Sequence, residues 1–287
     1  MLHLRSVSAK ARPSPAVATS GGEERFPFTV PAVRSIMSAR LEFPSPVTFF
    51  VGENGSGKST VLEGIALAAG LPTVGTVEAT RDSTLDAARR LGQAFRLSWV
   101  KRTHRGFFLR AEDFFGFAKS LTTLRAQLNE QLADIDVEYA DRSAHAKQLA
   151  RGPAAASLHD MTRRYGVDLD ANSHGQSFLR LFQNRFVPGG LYLLDEPEAP
   201  LSPQSQLALI SMMHDMVHRH EAQFIVATHS PLLLAIPDAT IFSFDDVPLR
   251  TVVYDALDHV TITRDFLNHP ERYLRHLTAA VEPGHSL

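Results

Sequence analysis

Apolar runs typical of buried strands alternate with stretches of helical periodicity along this chain of 287 residues. VTFFV at 47–51 ends in a glycine-rich turn, and TVLEGIALAAG after it predicts a helix closed by Gly70. Later in the chain come LYLLDE at 191–196, a helix near 203–220, QFIVATH at 223–229, TIFSF at 240–244 and LRTVVY at 249–254. Strands that alternate with helices in this way predict an α/β layered core.

Two further patterns predict β-structure in the first third of the chain. FPFTV, from Phe26 onwards, is typical of a short strand. FRLSWVKR and GFFLRAE flank residues 103–105, and two such runs around a short polar connection predict an antiparallel hairpin. We therefore expect an antiparallel β element beside the layered core.

Residues 113–187, between these β-rich parts, show helical periodicity. The apolar positions that define one face are three or four residues apart: Leu121, Leu124, Leu128, Leu132 and Ile135. Such a stripe is typical of a coiled coil or of a packed helical lobe. Because it covers only about two heptads before Ala/Gly/Pro-rich sequence at 150–156, it favours a packed lobe.

The two ends of the chain lack a periodic apolar face. Residues 1–24 are rich in Ser, Ala, Pro and Gly, with no acid before Glu23. This composition predicts a flexible tail rather than an organellar transit peptide, since no amphipathic face forms. A second tail is expected at 278–287. Between them we expect a single domain, 25–277, with a core at 25–112 and 188–277 and the helical lobe at about 113–187.

Composition narrows the classes of function. The chain has no cysteine, which excludes disulfides, cysteine nucleophiles and thiolate zinc sites and suits a cytoplasmic protein. No run approaches the ~18 consecutive apolar residues that cross a bilayer, so we expect no direct insertion into a membrane. A formal net charge of -2 gives no global basic footprint for nucleic acid.

GENGSGKS at 52–59 fits the pattern G-x-x-x-x-G-K-[ST] between an apolar strand and a helix. In such a loop the backbone N–H groups point at phosphate oxygens, and the helix N-terminus adds positive potential. Lys58 is expected to reach the β- and γ-phosphates of ATP, and Ser59 to ligate Mg²⁺. The predicted nucleotide-binding residues here are Gly52, Asn54, Gly55, Ser56, Gly57, Lys58, Ser59 and Thr60.

Acidic and imidazole groups follow two later apolar runs. Asp195 comes at the end of LYLLD, where it would hold Mg²⁺ through water, and Glu196 directly after it would orient and polarise the attacking water. His229 comes at the end of the next apolar run. On a neighbouring strand it would stand beside the same γ-phosphate. Lys58, Glu196 and His229 are therefore the predicted catalytic residues.

GENGSGKST, SHGQS, YLLDEPEAPLSP and ATHSP, in this order, resemble the motifs of the ATP-binding-cassette (ABC) ATPase superfamily. The likeness runs over about residues 26–277 and is greatest to its non-transporter members, the predicted AAA-type ATPases related to RecF, SMC and OLD proteins. The resemblance implies an α/β P-loop NTPase core of the ABC type. It also makes the signature segment, NSHGQ at 172–176, a variant of the family's L-S-G-G-Q, so that Ser173, Gly175 and Gln176 would contact the γ-phosphate held by the other subunit.

This resemblance implies Mg²⁺-dependent ATP hydrolysis coupled to ATP-dependent homodimerisation, with a DNA or effector-protein partner and a role in DNA repair or phage defence. The alternative is the nucleotide-binding subunit of a membrane transporter. Transporter cassettes carry a Gln at a strand end before the signature, and GFFLRAEDFF has none, so Glu112 is the candidate substitute. A ring-forming AAA+ remodeller would instead need an arginine finger and separate sensor residues.

Overall fold

The computed structural model describes residues 2–10, 26–74, 85–165 and 174–278. Its strands are β1 (Leu4–Ala9), β2 (Leu41–Glu42), β3 (Val47–Val51), β4 (Thr73–Val74), β5 (Phe95–Trp99), β6 (Gly106–Arg110), β7 (Leu191–Asp195), β8 (Gln223–Ala227), β9 (Thr240–Ser243) and β10 (Arg250–Val252). Its helices are α1 (Pro31–Ser38), α2 (Lys58–Ala69), α3 (Leu85–Ala94), α4 (Ala111–Glu138), α5 (Ala144–Tyr165), α6 (His174–Arg185), α7 (Pro203–His220), α8 (Pro231–Leu234), α9 (Asp258–Asn268) and α10 (Pro270–Thr278).

A seven-stranded sheet forms the centre of the fold, in the order β10-β9-β3-β8-β7-β6-β4. All neighbours pair in parallel except β10, which runs antiparallel to β9. Every residue of β3, β7 and β8 is buried, as the continuous apolar runs require of strands covered on both faces. The predicted α/β core is confirmed, and α2 closes at Gly70 in the left-handed conformation, as the sequence predicts.

Helices cover both faces of this sheet. On one face α1, α2 and α3 bury residues such as Ile36, Leu62 and Leu91. On the other face α6 and α7 bury residues such as Phe182 and Met213. None of the described helices has the length and apolar character needed to span a membrane.

A second, antiparallel sheet in the order β2-β1-β5 contains the amino-terminal strand. The predicted tail at 1–24 is therefore wrong for residues 4–9, where Leu4 and Val7 are fully buried. Gln223, at the start of β8, holds this strand: its Oε1 accepts from His3 N–H (2.8 Å) and Leu4 N–H (2.7 Å), and its Nε2 donates to Leu4 O (2.9 Å). Residues 11–25 lie outside the described residues.

The expected hairpin around residues 103–105 is wrong as well. β5 pairs with β1 in the small sheet, whereas β6 pairs in parallel with β7 in the central sheet. The burial patterns give the reason, because β5 buries one face only and β6 buries its three middle residues consecutively. FPFTV is also not a strand: 26–29 form a turn that leads into α1.

The described residues of the region 113–187 form helices α4, α5 and α6, as predicted. The predicted stripe lies on α4 and is partly exposed, with Leu124 at 45%. The break between helices falls in the turn at 139–141, whereas 150–156 continue through α5 with Pro153 inside it. Ala154 and Met161 of α5 are buried. A lobe of packed helices therefore follows β6 and returns to the sheet at β7.

Candidate functional site

The carboxyl ends of five neighbouring parallel strands bring the predicted site together. In sheet order, β9 leads to Asp245, β3 to the phosphate loop at 52–57, β8 to His229, β7 to Asp195 and Glu196, and β6 ends at Arg110. Ligands of open parallel sheets bind at this edge. Residues that are far apart in sequence thus line one continuous margin of the sheet.

The phosphate loop has a backbone that only glycine accommodates at two positions. Gly57 has φ of 100°, and a Cβ there would meet Val30 Cγ1 at 2.5 Å. Gly52 has φ of 145°, and a Cβ would meet Asp245 Oδ1 at 2.9 Å. The same Asp245 oxygen accepts a hydrogen bond from Glu53 N–H at 2.7 Å. Asp245, which the sequence analysis missed, therefore fixes the start of the loop.

Lys58 stands at the first turn of α2 with its ammonium group curled back into the loop. Its Nζ donates to Gly52 O (2.7 Å) and Glu53 O (2.9 Å). Burial lowers its pKa, and nearby acids, Glu196 and Asp195 first among them, raise it and so favour the charged form. The loop around it leaves Asn54 and Gly55 exposed and Ser56 and Thr60 partly buried.

Ser59 and Asp195 form a pair of oxygen ligands. Ser59 Oγ donates to Asp195 Oδ1 at 3.1 Å, and Asp195 is only 3% exposed. Burial raises the pKa of Asp195 to about 6, against a smaller opposing effect of the Ser59 hydrogen bond. A hydroxyl and a buried carboxylate that needs a compensating cation fit Mg²⁺, which prefers hard oxygen ligands. Ser59 and Asp195 are thus suited to the predicted metal role.

Glu196 and His229 meet beyond this pair. Glu196 has a φ of 50°, which is rare for a residue with a side chain and typical of functional sites. Its Oε1 lies 4.0 Å from His229 Nε2, and both side chains are partly exposed. His229 N–H donates to Glu198 Oε1 at 2.7 Å, so the last acid of the DEPE motif at 195–198 holds the histidine backbone. Burial raises the pKa of Glu198.

Arg110 is a further residue that the sequence analysis missed. It pairs in register with Asp195, and its guanidinium contacts Glu63, Glu112 Oε1 (3.1 Å) and Asp195 Oδ2 (3.5 Å). Arg110, Glu112 and Asp195 line a cleft of about 410 Å³ together with Ser59 and Glu196. Glu112, the candidate for the absent Gln, is therefore present in the cleft but paired with Arg110. In the sequence, Arg110 could have been recognised as a site residue because it is the one charged residue of the otherwise apolar run GFFLR.

The signature segment is described only in part. Ser173 lies outside the described residues. Gly175 and Gln176 are in the first turn of α6, which begins at His174, and Gln176 is exposed. Phe178 and Phe182 anchor this helix in the core. The roles of Ser173, Gly175 and Gln176 toward a second subunit remain predictions.

Two family models match the chain. An AAA-domain model matches residues 30–89, and a model described as AAA domain, putative AbiEii toxin, type IV TA system, matches residues 109–235. Among curated proteins none matches. Both models describe AAA domains, in line with the AAA-type ATPases that the motifs resemble.

Solved structures of cassettes are similar to this chain. A nucleotide-free ATP-binding cassette from an ABC transporter has 13% identity and a TM-score of 0.43, covering 95% of this chain and 99% of that one. The SMC head bound to the C-winged helix domain of ScpA has 14% identity and a TM-score of 0.43, covering 87% and 97%. A putative metal-chelate type ABC transporter has 19% identity and a TM-score of 0.42, covering 75% of each chain.

Proposed function

We propose that this chain is an ABC-type P-loop ATPase that binds ATP with Mg²⁺, hydrolyses it to ADP and phosphate, and forms a homodimer when ATP is bound. The observation that carries the proposal is the meeting of Lys58, the Ser59–Asp195 pair and the Glu196–His229 pair at one edge of the sheet. The proposal places the reaction in the cytoplasm, where ATP and Mg²⁺ are available.

Nucleotide binding would begin at the phosphate loop. Lys58 already has its ammonium group over the loop carbonyls, and a short rotation of the side chain would direct it to the β- and γ-phosphates. Ser59 and Asp195 would hold Mg²⁺, whose charge offsets that of the phosphate oxygens. The buried Ser56 Oγ, which has no hydrogen-bond partner, is available to the same phosphates.

Hydrolysis would depend on Glu196 and His229. The carboxylate of Glu196 is partly exposed beside the cleft and would orient and polarise the attacking water. His229, held through its backbone by Glu198, would donate to the γ-phosphate as negative charge develops on it. The remaining residues of the site act by positioning and electrostatics, as phosphoryl transfer requires.

Dimerisation would complete the site. Gly175 and Gln176 lie in the first turn of α6, where free backbone N–H groups can bind an anion, and Ser173 precedes this helix in the sequence. In a two-fold arrangement each subunit would lend this turn to the phosphate loop of the other. Two ATP molecules would then be shared between two copies of the chain.

Glu196→Gln tests the hydrolytic role. This variant keeps the shape of the side chain but loses the charge that polarises water, so we expect ATP binding to persist and turnover to fall by ~10² or more. Calorimetry measures the binding and phosphate release measures the turnover. Glu221→Gln is the matched control, because Glu221 is another glutamate with left-handed φ, at the end of α7. Turnover at the wild-type rate in Glu196→Gln would assign the catalytic role to another residue.

The process that the ATPase serves, DNA repair or phage defence, can be approached through its partners. The second family model carries the name of a toxin in its description, which supports a search for an effector-protein partner as well as for DNA. Glu196→Gln, loaded with ATP, is the form in which to purify such partners from native cells. Recovery of a permease would instead favour the transporter alternative.

A further inference from the structure

Unpaired polar atoms concentrate at one end of the candidate site. In the described part of the chain, five buried side-chain atoms lack a hydrogen-bond partner. One of them, Thr48 Oγ1, lies within β3; the other four are Ser56 Oγ, Glu198 Oε2, His229 Nε2 and His259 Nε2. Buried polar atoms are nearly always paired, so a cluster of exceptions indicates a polar ligand. Three of these residues belong to motifs already discussed, and His259 does not.

The start of α9 is fixed beside the His229 loop. Leu257 and Val260, on either side of His259 in sequence, are buried in the core. Tyr254, in the turn that precedes α9, donates from its hydroxyl to Pro231 O at 3.1 Å. Pro231 is two residues beyond His229 and begins α8. Buried neighbours on both sides in sequence therefore hold the backbone of His259 in place.

The two imidazoles lie close to each other. The ring centroids of His229 and His259 are 6.4 Å apart, with the planes inclined by 64°. Burial lowers the pKa of His259, and His229 and Lys58 lower it further, while Asp245 and Asp258 raise it. Its electrostatic neighbours thus include both Lys58 and Asp245, the residues that frame the phosphate loop.

We propose that His259 is a second imidazole contact for the terminal phosphate of the bound nucleotide, placed by α9 next to His229. The inference rests on the proposed function and adds to it a residue outside the recognised motifs. An anionic oxygen between the two rings would satisfy both unpaired Nε2 atoms. A nucleoside triphosphate supplies that oxygen at its γ-phosphate, and a diphosphate does not. His259 would therefore help the site to distinguish ATP from ADP.

The test compares ATP and ADP affinities by calorimetry in the Glu196→Gln background, where ATP is not consumed. His259→Phe keeps a planar ring and removes both nitrogens, so we expect ATP affinity to fall roughly tenfold or more, the scale of a lost hydrogen bond to a charged group. ADP affinity should change less than about twofold. His259→Gln carries an amide nitrogen at the reach of Nε2 and should recover most of the ATP affinity.

His269→Phe is the matched control, because His269 is a histidine of the same carboxyl-terminal region that faces Glu271. It should leave both affinities unchanged. Unchanged ATP affinity in His259→Phe, an equal loss for ATP and ADP, or failure of His259→Gln to recover ATP binding would each overturn the inference while the proposed function stands. Absence of ATP binding by the parent protein would overturn both.

Discussion

At the scale of single residues, Arg110 and Asp195 face each other across the ends of β6 and β7. Burial disfavours the charged form of Asp195 and raises its pKa to about 6, and the positive charge of Arg110 opposes part of this increase. A metal ion at Ser59 and Asp195 would supply the same compensation. We therefore expect Arg110 to stabilise the site without nucleotide and to compete electrostatically with Mg²⁺ when nucleotide arrives.

Replacement of Arg110 should separate these two effects. In Arg110→Gln the carboxylates of Glu63 and Asp195 lose their shared cation, so we expect the nucleotide-free protein to be destabilised by about 1–3 kcal/mol. Mg²⁺ with a non-hydrolysable ATP analogue should then raise the melting temperature by more than it does in the wild type. Thermal unfolding with and without ligand measures both, and Arg110→Lys is the charge-conserving control. An identical ligand-induced shift in Arg110→Gln and wild type would argue against the competition.

The motif residues were predictable because their chemistry is local in sequence. Lys58 and Ser59 follow the glycine-rich loop after β3, and Asp195 and Glu196 stand at the end of β7. Because the two strands are parallel, their carboxyl ends deliver all four residues to one edge. Asp245 lies two residues beyond the short strand β9, and His259 lies in the first turn of α9, so their places depend on how β9 and α9 pack. No spacing rule connects them to the phosphate loop, so the sequence alone does not reveal them.

At the scale of elements, the sequence predicts the strands of the central sheet but not the amino-terminal strand β1 of the small antiparallel sheet. Continuous apolar runs such as those of β3, β7 and β8 predict doubly covered strands without reference to any partner. β1 is short and carries Arg5, Ser6 and Ser8, so its pattern resembles that of a tail. Its burial depends on Gln223, more than two hundred residues away in sequence. Sequence periodicity cannot report a contact of that range.

Gln223→Leu measures what this contact contributes. Leucine fills a similar volume but leaves His3 N–H, Leu4 N–H and Leu4 O without their partners in a buried place. We expect a loss of about 3 kcal/mol or more in the free energy of unfolding, since each unsatisfied buried group costs about 1–3 kcal/mol. Urea denaturation measures the change. Gln204→Leu, at an exposed position of α7, should stay within about 0.5 kcal/mol; similar losses in both would mean that the β1 contact is not the cause.

At the scale of the whole molecule, the proposed function divides each ATP site between two copies of the chain. The phosphate loop, Asp195, Glu196 and His229 lie at the edge of the sheet, whereas the described part of the signature segment, residues 174–176, begins α6 in the helical lobe. ATP bound by one subunit would then act as the link to the signature of the other. Hydrolysis removes the γ-phosphate from that link, so turnover and dissociation would be coupled through the same contact.

Ser173→Arg and Lys58→Ala, each inactive alone, test this sharing. Ser173→Arg should leave its own phosphate loop intact but, under the proposed function, would place a bulky side chain where the partner's γ-phosphate docks. Lys58→Ala removes the charge that binds the β- and γ-phosphates and leaves its signature intact. In a mixed dimer, one site combines the intact loop of the first variant with the intact signature of the second. We therefore expect ATPase activity, measured as phosphate release, to recover partly when the two proteins are mixed.

If each subunit used its own signature, no site in the mixture would be whole and no activity would return. The control replaces the Ser173→Arg protein by one that carries both substitutions, because every site of that mixed dimer then contains a defective loop. Activity should be absent there at all mixing ratios. Light scattering in the Glu196→Gln background adds a second readout, since Ser173→Arg should abolish ATP-dependent dimers while ATP binding persists. A Ser173→Arg protein that dimerises and hydrolyses ATP normally would reduce Ser173 to a residue that serves only its own helix.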